Sequence, residues 1–270
     1  MTRIVWLTDI HLNFVESEIT ERLLDEVNAA SPEAVLIGGD IGESQNVQMY
    51  LSRFAARVAC PIYFVLGNHD FYHSSVPVVR QAMGTFCDRH ANLCYLTLES
   101  QAIELATDVG LIGHDGWADA RLGDYLGSDV FLSDYALIEE LAGHYHLDRR
   151  PMLQRLGDEA AAQIGESLPH ALARYRHVVL LTHVPPFREA CWHEGHLSDD
   201  NWLPHFTCKA IGDVILKVMQ QHPTRKLTVL CGHTHGEGEA RPLDNVHVLT
   251  GRAIYGAPAI TRVFESTSDF

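Results

Sequence analysis

Five short apolar runs, each halted by a cluster of polar residues, constrain this chain more than any other feature. Residues 4–7, 34–37, 62–66, 178–181 and 227–230 are dense in aliphatic and aromatic side chains and read as buried strands. Helical periodicity fills the gaps between the first three. Ile19, Leu23, Leu24 and Val27 share one face, and Val47, Leu51, Phe54 and Val58 share another behind a capping Ser44. Strand, helix, strand, helix, strand implies βαβ units.

The pattern changes further on. A third helix is predicted behind Ser75 and Pro77, then strands over 93–98, 102–106 and 109–112, the last two forming a hairpin across Thr107 and Asp108. Residues 117–176 turn polar and then helical, with Gly157, Gly165 and Pro169 breaking an otherwise overlong helix. This segment reads as an insertion or cap within a single domain spanning 1–270. A helix around 211–219 precedes the fifth strand, strands over 246–250 and 259–264 are expected to finish a sheet, and residues 266–270 read as a loose tail.

Composition removes several functional classes. With 270 residues and 46% apolar content the chain can bury a large core, which excludes disorder for most of it. Its 20 Lys and Arg stand against 35 Asp and Glu, a formal charge of -15, so the far field repels nucleic acid and anionic membrane. No nucleic-acid partner is expected. No run approaches the roughly 18–20 continuous apolar residues of a membrane helix, and the start MTRIVWLTD has no long apolar signal core. A cytoplasmic protein without a membrane partner is expected; oligomeric state leaves no trace in the sequence. The six cysteines form no Cys-x-x-Cys pair and read as reduced, mostly buried thiols.

Chemistry concentrates just past the five strands. Asp9 and His11 follow the first, Gly39-Asp40 the second, Gly67-Asn68-His69-Asp70 the third, His183 the fourth and Gly232-His233-Thr234-His235 the fifth. In layered α/β folds the carboxyl ends of the strands share an edge, so residues this far apart can meet in one pocket. Asp9, His11, Asp40, Asn68, His183, His233 and His235 form a mixed nitrogen and oxygen donor set. It is too nitrogen-rich for calcium or magnesium and lacks the thiolates of a structural zinc site, whereas manganese, iron or zinc suit it. So many donors exceed one tetrahedral ion but serve two transition-metal ions, divalent or trivalent, about 3.5–4 Å apart if a carboxylate bridges them. Asp40 is the expected bridge. Two divalent ions outweigh two aspartates and a hydroxide, so the centre draws in a phosphate oxyanion despite the acidic surface, and phosphoester hydrolysis follows. Gly39, Gly67 and Gly232 each precede a donor, where a sharp turn or a missing β-carbon lets backbone approach the ions.

The series Asp-x-His, Gly-Asp, Gly-Asn-His-Asp, His and Gly-His-x-His, running from Asp9 to His235, resembles the blocks of the calcineurin-like metallophosphoesterase superfamily. The resemblance implies a two-sheet α/β sandwich flanked by helices, with a dinuclear metal centre. It assigns Asp9, His11, Asp40 and His235 to one ion and Asp40, Asn68, His183 and His233 to the other. It also implies that His69 is the proton donor to the leaving alkoxide, tuned and oriented by Asp70. Ile41-Gly42-Glu43 after Asp40 lacks the Asp-Arg-Gly extension of protein serine/threonine phosphatases, and no tyrosine stands three residues past Asp40 as in purple acid phosphatases. The series is similar to the bacterial cyclic-nucleotide phosphodiesterase branch. The reading therefore leans to phosphodiester hydrolysis of a small molecule, a cyclic nucleotide among the candidates; the alternatives are a phosphomonoesterase on a small substrate and a non-catalytic metal-binding scaffold.

Weaker signals flank the main one. His114 and Trp117 end the hairpin strand, and Trp192 and His193 lie in a long aromatic loop after His183, so these four are candidate substrate-binding residues. Cys231 alternates away from the donors and reads as a small hydrophobe.

Overall fold

The computed structural model describes residues 3–265 and 269, so the expected tail, Asp269 apart, lies outside the described residues. In chain order the strands begin with β1 (Ile4–Leu7), β2 (Ala34–Gly38), β3 (Ile62–Val65) and β4 (Leu93–Tyr95). They continue as β5 (Ile103–Ala106), β6 (Val109–His114), β7 (His177–Thr182), β8 (Trp192–His193) and β9 (His196–Leu197). The last are β10 (Lys226–Cys231), β11 (Gly238–Leu243), β12 (Val246–Thr250) and β13 (Arg262–Phe264). The helices are α1 (Ser17–Ala29), α2 (Val47–Arg57), α3 (Val76–Cys87), α4 (Asp134–Leu137), α5 (His146–Arg174), α6 (Leu203–Phe206) and α7 (Lys209–Gln221).

Two sheets result. The first has five strands in the order β13-β1-β2-β3-β4, the second six in the order β11-β12-β10-β7-β6-β5. Each is parallel at its centre, because helical crossovers join β1, β2 and β3, and antiparallel only where β13, β11 and β5 pair at the rims. Period-two alternation then builds the layers. Ile4 and Trp6 of β1, Leu36 of β2, Val179 and Leu181 of β7 and Leu230 of β10 fill the space between the sheets. The alternate residues Val5, Leu7, Val35 and Ile37 pack under α1, α2 and α3, while Val178, Leu180, Val229 and Cys231 pack under α5 and α7. Cys231 thus faces the helix layer, as its register required. The architecture is the helix-flanked two-sheet sandwich, and among the described residues no helix is long and apolar enough to cross a membrane.

Several local expectations are corrected. The helix His146–Arg174 runs unbroken through Gly157, Gly165 and Pro169. Its buried Leu153, Leu156, Ala160, Ile164, Leu168 and Leu172 recur at helical spacing against β6, β7 and α7, and that burial outweighs the one backbone bond Pro169 removes. Gly157 is there for closeness: a β-carbon on it would stand 2.6 Å from Asp119 Cβ. Asn46, not Ser44, occupies the cap position of α2, since the Ser44 hydroxyl donates to Tyr72 O instead. Residues 96–98 form a 3-10 turn rather than strand. The two last strands part company: β12 joins the second sheet, and β13 crosses to pair with β1 of the first.

Candidate metal centre

The carboxyl ends of β1, β2, β3, β7 and β10 meet at one edge, and backbone bonds lace their loops together. Asp9 N donates to Gly39 O at 3.0 Å, His11 N to Asp40 O at 2.9 Å, and Gly232 N to His183 O at 2.8 Å. Five of the seven candidate donors hold left-handed backbone: Asp9 (φ 52), His11 (φ 41), Asp40 (φ 51), His233 (φ 68) and His235 (φ 58). Such conformations cost non-glycine residues about 1–3 kcal/mol each and cluster where a site over-determines them. The neighbouring glycines answer to space. A β-carbon on Gly232 would lie 1.9 Å from Asp9 Oδ2, and one on Gly67 would lie 2.2 Å from Asp40 Oδ1.

The side chains converge as the spacing implied. His11 Nε2 and His235 Nε2 are 3.1 Å apart, and His235 Nε2 is 3.4 Å from Asp9 Oδ1. Asp40 Oδ2 stands between two groups, 3.6 Å from His11 Nε2 and 3.5 Å from His183 Nε2. His183 Nε2 lies 3.1 Å from Asn68 Oδ1. Donor atoms of Asp9, His11, Asp40 and His235 all fall within 4.8 Å of one another. The tautomers follow from carbonyl partners, which only accept. His183 donates Nδ1–H to Gly38 O, which turns its Nε2 inward, and His233 donates Nε2–H to His205 O, which leaves Nδ1 as the atom that could ligate.

Charge fits divalent cations. Burial alone would raise the Asp9 and Asp40 carboxyls, yet the charge of His183, with His235 at Asp9 and His69 at Asp40, holds Asp9 at about 2 and Asp40 well below the usual carboxylate range. Burial would likewise depress His183, but Asp40 and Asp9 push it up to about 10. Burial holds His11 and His233 at about 4. The two buried carboxylates thus draw positive charge from these imidazoles, and among the described residues no lysine or arginine pairs with either. The donor set, the strained loops and the cradling glycines fit two transition ions.

His69 sits at the mouth, its side chain 14% exposed and its Nε2 4.0 Å from Asp40 Oδ2. Asp70 does not orient it. The Asp70 carboxyl accepts the backbone N–H groups of Ile41, Gly42 and Gly67 at 2.8–3.0 Å and so clamps two donor loops, while His69 Nδ1 is without a hydrogen-bond partner. Burial and the nearby Asp40 charge raise Asp70 to about 8.

Three residues at the site escaped sequence reasoning. Asp134, buried, accepts from Asn68 Nδ2 and Tyr72 Oη, both at 2.8 Å, which turns Asn68 Oδ1 toward His183. Tyr255 lays its ring 4.5 Å from that of His11 and 4.9 Å from that of His235, with its hydroxyl 3.4 Å from His69 Nε2. Phe14 packs edge-on against Tyr255. The last two are exposed aromatics next to a polar cluster, a signal available in a structure but not in a single chain.

Of the four candidate substrate residues, Trp117 lines a small recess together with Asn68, His183 and His233, and the other three do not contact the donors. His114 is buried on the helix-facing side of β6, its Nδ1 accepting from Gly116 N, and Trp117 is buried against Phe71. Neither faces open solvent; the substrate-facing role expected of His114 is thereby corrected, whereas Trp117 stays in the wall beside the donors. Trp192 packs on Gly238 and His193 donates to Thr234 O, so both brace the segment after the last donors without touching them.

Comparison with known proteins gives concordant results. A family model for calcineurin-like phosphoesterases matches residues 2–237. An uncharacterized metallophosphoesterase of Campylobacter jejuni is 29% identical over 143 residues, 51% of this chain and 34% of its own length, so the match spans about a third of that relative. Among solved structures, the phosphopantetheinyl hydrolase of Mycobacterium tuberculosis superposes with a TM-score of 0.64 at 14% identity, covering 94% of this chain and 90% of that one. A dimetal phosphatase from Danio rerio gives 0.56 at 14% identity, covering 94% and 88%. At such identities the likeness to these structures is one of fold.

Proposed function

We propose, from the premise that this chain belongs to the calcineurin-like phosphoesterases, that it hydrolyses a small phosphoester through two metal ions and prefers phosphodiesters. The observation that carries the reading is the position of Asp40 Oδ2, 3.6 Å from His11 Nε2 and 3.5 Å from His183 Nε2, as a carboxylate shared by two halves of one site must be. Asp9, His11, Asp40 and His235 would hold one ion, and Asp40, Asn68, His183 and His233 the other, with manganese, iron or zinc suiting these donors. When bound, the ions would supply Lewis acidity toward the phosphoryl oxygens and a water acidic enough to attack at neutral pH.

The chain's own residues do the rest. Asp70 and Asp134 hold the donor loops, and His69 gives a proton from Nε2 to the leaving alkoxide, which otherwise departs poorly. Two features favour a diester. Among the described residues no lysine or arginine is ion-paired into the donor cluster to balance the second charge of a monoester, and the aromatic faces of Tyr255 and Phe14 at the mouth suit a second alcohol group. Metal analysis of manganese-loaded protein, with bis(p-nitrophenyl) phosphate and p-nitrophenyl phosphate assayed side by side, tests the proposal. About two ions per chain and faster diester turnover are expected. Faster monoester turnover would make it a phosphatase, and two ions without hydrolysis of either ester would favour a binding scaffold.

A further inference from the structure

The two halves of the donor cluster rest on different parts of the chain. Asp9 accepts from Thr8 Oγ1 and from the backbone N–H of His233, and among the described residues no hydrogen bond from residues 117–145 reaches Asp9, His11 or His235. The other half is built on that segment. Asn68 Nδ2 donates to Asp134 Oδ1 at 2.8 Å, and the next residue, Tyr135, carries a second hold. A recess of about 10 Å³ shows the same division: Trp117, Ala118 and Asp134 wall it together with Asn68, His183 and His233, whereas none of Asp9, His11 and His235 does.

The hold of Tyr135 passes through the buried His205. Ser128 Oγ gives its one proton to Asn201 O, so it accepts from His205 Nε2–H at 2.9 Å, and in the neutral ring Nδ1 then accepts from Tyr135 Oη. Residues of the insertion thus fix both nitrogens of that imidazole. The carbonyl of His205 lies in the four-residue helix α6, whose last acceptors have no partner within the helix, and it takes Nε2–H of His233 at 2.9 Å. Tyr135 is pinned in turn. Its ring centre lies 4.1 Å from the Arg149 guanidinium, which donates to Leu141 O and His144 O.

We propose that Asp134 and Tyr135, neighbours on the short helix α4, are positioning residues that set the affinity of the ion assigned to Asp40, Asn68, His183 and His233 and leave that of the other ion unchanged. This rests on the function proposed above, from which it takes the two donor sets. Asp134 aims the carbonyl oxygen of Asn68 by holding its amide nitrogen, and Tyr135 steadies the residue whose carbonyl selects the tautomer of His233. Losing an outer partner of this kind typically lowers metal affinity about 10–100-fold. The insertion is by this reading the frame of one half of the centre.

The test titrates manganese into the whole chain stripped of metal, followed by calorimetry and by electron paramagnetic resonance, which separates an isolated manganese ion from a spin-coupled pair. Two ions per chain are expected in the parent. Tyr135→Phe should weaken one of them about tenfold and Asp134→Ala up to about a hundredfold, with the coupled signal giving way to the isolated one, while the affinity of the other ion stays as in the parent. Asp134→Asn, which keeps an acceptor oxygen for Asn68, should recover most of the loss. Leu141→Ala, which opens a cavity in the same segment and leaves both chains of bonds in place, should change neither affinity. Should Asp134→Ala fail to fold, Tyr135→Phe, which removes a single hydroxyl, decides by itself. Equal weakening of both ions, two unchanged affinities, or an effect of Leu141→Ala as large as that of Tyr135→Phe overturns the proposal. Selective weakening in a chain that hydrolyses no phosphoester upholds it and removes the function, and a parent that binds a single ion removes both.

Discussion

The backbone N–H of His69 donates to Asp40 Oδ1 at 2.9 Å. That bond commits one carboxylate oxygen to the main chain and leaves Oδ2 to the imidazoles of His11 and His183. The main chain of the candidate proton donor thus orients the candidate bridging ligand, while its side chain stays at the mouth.

Replacing only that side chain separates the two duties. His69→Ala retains the N–H, so both ions are expected to remain by metal analysis while kcat on alkyl diesters falls roughly 10²–10⁴-fold. The loss should shrink for nitrophenoxide, which leaves without help. A loss independent of leaving-group basicity would take His69 out of its role.

Gly232→Ala tests the close approach at the other end of the site. Its β-carbon would lie 1.9 Å from Asp9 Oδ2, and the buried carboxylate has no room to retreat. The expected outcome is a chain with native circular dichroism that binds about one ion fewer. Retention of full metal content would mean that the loop yields at little cost.

Asp70→Ala strands three buried backbone donors, those of Ile41, Gly42 and Gly67. At about 1–3 kcal/mol for each unsatisfied group, a loss of at least ~3 kcal/mol is expected in urea unfolding. The pH dependence of turnover in the folded fraction should stay as in the parent. A shifted profile with unchanged stability would restore the role of orienting His69.

Acid should destabilise the fold through two buried histidines outside the donor set. Burial holds His114 at about 4, and burial with the nearby charge of His146 holds His205 at about 4, against about 6.5 in an unfolded chain. Between those values the unfolded state binds more protons, so stability falls as pH drops from about 6.5 to about 4, by up to ~1.4 kcal/mol per pH unit for each histidine. Urea midpoints across that window measure the slope. His114→Asn, which still offers Gly116 N–H an acceptor, should flatten it; an unchanged slope would show that His114 does not titrate this way.

Strands and candidate donors were readable from the chain because each signal is local. An apolar run such as 34–37 followed by Gly39-Asp40 announces both a buried strand and the group at its end within a few residues. Locality also misled. Asp70 is adjacent to His69 in sequence, but the 3-10 turn His69–Phe71 sends its carboxylate inward to backbone donors. Gly157, Gly165 and Pro169 look like breakers one by one, and the packed face of α5 overrides them together.

Residue identity and spacing along the chain thus named the candidate donors and their order, since ligand chemistry belongs to the side chain itself. The division of labour between the two oxygens of Asp40, the hold of Asp134 on Asn68 from 66 residues away and the cover of Tyr255 over His69 from 186 residues away came from packing one sheet on the other. Contacts between segments so distant depend on where the whole chain closes, and no short window of sequence contains that information.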